Sequence, residues 1–173
     1  MLALTRRAAA LGALAPLAAA LPLCAAAQSH KALAALLVDV PQWKGGKADG
    51  MSVQMQGQDM TWATREYKRG DAEITAILGI GHPMGAQVQM MGLAGGGAAP
   101  EPVTVKGFPV FSMYDRTDRT GIVIVSLTSG NPFNTQAAAA PTLMIQFTRV
   151  GPDEALSFAE RFDLAAMRDA TRK

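Results

Sequence analysis

Thr61 to Gly81, TWATREYKRGDAEITAILGIG, reads as two strands and the turn between them. The turn is Lys68-Arg69-Gly70-Asp71, where glycine can take the positive φ of a tight hairpin and Asp71 can bond back to the backbone. After it the residues alternate: Ala72, Ile74, Ala76, Leu78 and Ile80 point one way, Glu73, Thr75 and Ile77 the other. One face of this strand is therefore apolar. A lone hairpin is marginal in water, so that face needs further strands and a helical layer over it.

The chain on either side provides both. Upstream, Ser29 is placed to cap a helix with Leu33, Leu36, Leu37 and Val40 on one stripe, stopped by Pro41. Trp43 follows as an edge plug of the core, in a Lys44-Gly45-Gly46-Lys47 loop that reads as a hinge. Met51 to Met60 alternates Val53 and Met55 with Gln54 and Gln56, a strand with one wet face leading into the hairpin. Downstream, His82-Pro83 opens a second helix running through Val88 and Met91 to Gly95-Gly96-Gly97. Val103 to Val110 reads as one strand kinked at Pro109, and Ile122 to Leu127, apolar on both faces, as a central strand. A long loop, Ser129 to Pro141, leads to a last strand at Leu143 to Thr148. Gly151-Pro152-Asp153-Glu154 opens the terminal helix, whose buried face carries Leu156, Phe158, Phe162 and Met167 and which Asp163 can break in two. The expected fold is α+β: a single antiparallel sheet of about five to six strands, hairpin plus three-stranded meander, with helices packed on it.

Residues 1–27 read as an export signal, leaving 28–173 as one domain. Arg6-Arg7 precede an uncharged, alanine-rich run, and Ala25-Ala26-Ala27 sets cleavage between Ala27 and Gln28. The run is too short for a membrane span, which takes about 20 apolar residues. The paired arginines resemble a twin-arginine signal, although Ala9 stands where that family usually has Phe; an ordinary Sec signal fits the same residues. Leu23 before Cys24, where lipoproteins carry a small residue, disfavours lipidation at Cys24. The expected location is the periplasm.

Cleavage would leave 14 basic against 14 acidic side chains, because Arg6 and Arg7 depart with the signal. A neutral domain without a basic stripe and interleaved aromatics argues against nucleic acid. Cys24, the chain's one cysteine, departs as well, which excludes an intramolecular disulfide and thiol chemistry.

The order helix, hairpin, helix, meander, helix, with the Trp-containing first loop and the export signal, resembles exported bacterial domains of the Mog1/PsbP-like class, to which the DcrB-type envelope proteins belong. The likeness is one of element order across the mature domain. It implies a non-enzymatic accessory role and carries no functional residue across.

Reactive groups are few. His30 and His82 are the two histidines, and no Gly-x-Ser-x-Gly surrounds a serine. His82 could act as a base beside Asp71 or Glu73, but at a strand-to-helix junction it reads more simply as a capping residue. Zinc lacks a ligand set. Copper(I) has thioethers to choose from, with His82, Met84, Met90 and Met91 or the Met51, Met55, Met60 series as candidates; methionine is equally a flexible core filler. Arg69-Gly70-Asp71 spells an adhesion tripeptide but is ordinary turn chemistry, and Gly92 to Gly97 lacks the Lys-Ser/Thr of a phosphate loop. No enzyme and no cofactor are expected. The sequence points instead to an accessory protein acting on another envelope protein through a sheet face or the 129–141 loop. The alternative is a small carrier holding an apolar ligand between the sheet and the helix bearing Val88, Met90 and Met91.

Overall fold

The computed structural model describes residues 29–55, 58–81, 103–128 and 140–172. The helix expected after His82, the 129–139 part of the long loop, and Cys24, Ala27 and Gln28 lie outside them.

The described residues form one antiparallel sheet of eight strands and three helices. In chain order these are α1 (His30–Leu36), β1 (Lys44–Gly45), β2 (Asp49–Met55), β3 (Gln58–Arg69), β4 (Ala72–Ile80), β5 (Val103–Val105), β6 (Phe108–Asp115), β7 (Thr120–Ser126), β8 (Thr142–Thr148), α2 (Pro152–Ala159) and α3 (Leu164–Thr171). Across the sheet the order is β1-β3-β4-β8-β7-β6-β5, with β2 beside β1 along the outer side of β3. Two meanders, β2-β3-β4 and β5 to β8, are thus joined where β4 meets β8.

The hairpin forms as expected. Arg69 pairs with Ala72 around Gly70-Asp71, and Gly70 has φ +59°. Strand β7 lies between β6 and β8, as its two-sided apolarity required.

Two short strands raise the count above the expected five to six. The Lys44–Gly45 segment is no hinge: it pairs with Tyr67 and Lys68, and the Gly46 N–H donates to the Glu66 carbonyl at 2.7 Å. Likewise Val103 to Val110 is not one kinked strand but a reversal. Val105 faces Phe108 across Lys106 and Gly107, whose φ of 49° and 82° match a primed two-residue turn. Farther upstream the expected Met51 to Met60 strand divides, with Met55 opposite Gln58, and β3 begins before Met60.

Helix α1 keeps its Ser29 cap, whose side chain accepts from the Ala32 N–H, but it ends at Leu36, short of Pro41. Side chains from β3 hold the carbonyls of the extended chain just beyond its end. Arg65 Nη1 donates to the Leu37 oxygen at 2.6 Å and the Tyr67 hydroxyl to the Val38 oxygen at 2.8 Å. Leu37 and Val40 still reach the core from extended chain. His30 opens α1 half-buried over Gly50.

All three helices cover one face. Ala63, Tyr67, Ile74, Ala76, Leu78, Val123, Val125, Leu143, Ile145 and Phe147 meet Leu33, Phe158, Phe162, Leu164 and Met167 there. Edge-to-face contacts tie Phe158 to Trp43, Tyr67 and Phe162, with centroids 5.0–5.6 Å apart. Trp43 plugs the core edge, with the Arg69 guanidinium over its ring at 4.4 Å.

Candidate binding surface on the second sheet face

The period-2 alternation that fills the helix-covered face sends a second set of side chains the other way. In β7 and β8 that set is Ile122, Ile124 and Met144, with Ile77 of β4 and Met113 of β6 packed against them. Register makes this a continuous row: Thr64, Ile77, Met144, Ile124 and Phe111 stand side by side across five strands. None of the three helices lies on this side. The row is nevertheless dry at its centre, with Ile124 5% and Met144 2% exposed and Ile122, next along β7, 7%.

Toward β2 the same face opens to solvent. Met51 stands opposite Trp62 and Val53 opposite Met60. Met60 is buried, Val53 and Trp62 are half-buried, and Met51 is 48% exposed. Of the exposed large apolar side chains among the described residues, Met51 is the one on this face. At the opposite end the face turns polar, where Lys68, Glu73, Thr148, Thr120 and Asp115 form one row.

The described charges are mostly engaged in the scaffold. Arg65 donates to the Leu37 and Gly46 carbonyls and pairs with Asp39; Arg69 pairs with Glu154; Lys106 Nζ donates to the Glu160 carbonyl at the end of α2. Lys68 hydrogen-bonds Glu73 at 2.9 Å, which lowers the carboxyl pKa and raises that of the amine. The Arg168 hydrogen bond holds Asp169 low in the same way. Among the described residues no three His, Cys, Asp or Glu side chains converge as metal ligands would, and no helix is long and apolar enough to cross a membrane.

Of the sequence candidates, His82, Met84, Met90 and Met91 lie outside the described residues, and of the other methionine series only Met51 and Met60 have described side chains. The two acids considered beside His82 stand at the hairpin end of β4. Glu73 is engaged at the hairpin end, roughly 23 Å along the strand from Ile80, and Asp71 sits in the turn beyond it. The Gln54 side of β2 is wet as read, with Gln54 donating to Asp59 at 3.1 Å. Sequence reading missed the Met51 side: alternation marked Val53 as inward without showing that no described strand lies beyond it.

Comparisons of the chain with protein-family models, with curated proteins and with solved structures find no match.

Proposed function

We propose that this chain is a non-catalytic, exported accessory protein of a bacterial envelope, which binds another envelope protein through the second face of its sheet. The observation that carries the reading is that the sheet face away from the three described helices holds its own apolar group, Ile77, Ile122, Ile124 and Met144, and at its β2 edge presents Met51 to solvent opposite a half-buried Trp62. Export is supported by the arginine-led, alanine-rich start, and by a helix cap at Ser29 just after the expected cleavage point.

A photo-crosslinking residue at Met51, compared with one at Val38, which is 45% exposed in the α1–β1 linker, tests the binding half. A heterologous envelope protein joined at position 51 and not at 38 is expected; equal labelling at both would remove the reading. Mass spectrometry of the purified protein tests the export half: a first residue of Gln28 is expected, and retention of Met1 would sink it.

A carrier of an apolar ligand is the second reading, favoured by the same dry row, since methionine and isoleucine accommodate varied apolar shapes. Native mass spectrometry showing a co-purified small molecule would prefer it.

A further inference from the structure

Sheet edges attract other strands, and proteins blunt them with short strands, lysine, proline or bulges. Edge strand β5 has three residues and β1 two, both short enough to be poor templates. Strand β2 is different. It runs seven residues, pairs with β3 in unbroken register from Asp49 to Met55, and contains no proline and no lysine. Its one charge is Asp49, at its end. Ser52 and Gln54 are exposed, Met51 is 48% exposed, and no described strand lies outside β2 over this length.

We infer that β2 pairs antiparallel with β2 of a second copy about a twofold axis at Ser52, joining the two sheets edge to edge. The residue pattern selects that register. With Ser52 opposite its own copy, Met51 of each chain stands opposite Val53 of the other, and the two apolar second faces become one. Asp49 falls opposite the position of Met55, so no like charges oppose each other. Such a contact is isologous and closes on itself, so it yields a dimer and not a filament. The inference is independent of whether another envelope protein docks on the second face.

Ser52 gives a direct test, because on this axis it meets itself. Light scattering on the purified protein is expected to give the mass of two chains. Ser52→Lys and Ser52→Asp, each alone, set like charges opposite and are expected to give monomers, whereas their equimolar mixture is expected to restore the dimer mass. Far-ultraviolet circular dichroism of each variant matching wild type keeps misfolding out of the result, since the substitution removes only the Thr61 hydroxyl bond to Ser52. A monomeric wild type, a dimer indifferent to both variants, or variants that fail to rescue one another would each overturn the inference. So would a different protein found seated on β2 and released by Ser52→Lys.

Discussion

Arg65 shows how one side chain can set the path of a chain segment. From β3 it reaches the Leu37 carbonyl, the Gly46 carbonyl and the Asp39 carboxylate, all in the stretch that leads from α1 to β1 and β2. Asp39 is almost fully exposed, so its ion pair adds little, and the two backbone bonds carry the effect. Arg65→Met leaves both carbonyls without this donor and is expected to cost about 2–4 kcal/mol, read as a fall in the urea midpoint. A midpoint within error of wild type would refute it. Its neighbour Tyr67 is fully buried, and that burial pushes the phenol up to about 12, outweighing the opposing pull of the Arg65 guanidinium. Between pH 10 and 12 the unfolded chain therefore sheds a proton that the folded chain keeps, so stability falls as pH rises through that window. In Tyr67→Phe that part of the alkaline decline is expected to vanish, while neutral-pH stability drops by about 1 kcal/mol with loss of the Val38 bond. An unchanged alkaline slope would contradict this.

Among the elements, the clearest local decision is the break between α2 and α3. Asp163 accepts from the Ala166 N–H at 2.9 Å, starting a new helix, while Phe162 turns into the core. Asp163→Ala is expected to cost about 1 kcal/mol in thermal or denaturant unfolding, the usual loss of an N-cap; no loss would mean the break is set by packing alone. Strand β7 holds a second such point at Gly121, where the Phe147 ring lies over the glycine and stacks on Tyr114 at 6.0 Å. A Cβ there would run into that ring and come within 2.6 Å of the Met113 carbonyl. Gly121→Ala is therefore expected to destabilise by about 1–3 kcal/mol through crowding; a neutral result would show that Phe147 has room to swing away.

For the whole molecule, the joint between β4 and β8 matters most. It pairs residues roughly 70 apart in sequence, such as Ala76 and Ile145, and it makes two meanders one sheet. The apolar groups on both faces share these strands, so neither side can melt alone. Trp43 on the helix side and Trp62 on the other serve as separate reporters. Single-tryptophan variants Trp43→Phe and Trp62→Phe are expected to unfold at the same urea concentration, and separated transitions would show two independent units. Local signals had already fixed much of this architecture: the Gly70-Asp71 turn, the Ser29 cap, the Pro152 start, the Asp163 break and the interior place of Ile122 to Leu127 all act within a few residues, where propensity and periodicity operate. Tertiary structure alone decided the path of the chain after α1, where Arg65 and Tyr67 arrive from another strand to hold the Leu37 and Val38 carbonyls of an extended segment. It also decided that Lys44–Gly45 and Val103–Val105 are strands, that β8 comes between β4 and β7, and that β2 lies at the edge of the described strands with Met51 half in water. Pairing and exposure depend on which neighbour stands alongside, and residue order does not specify that neighbour.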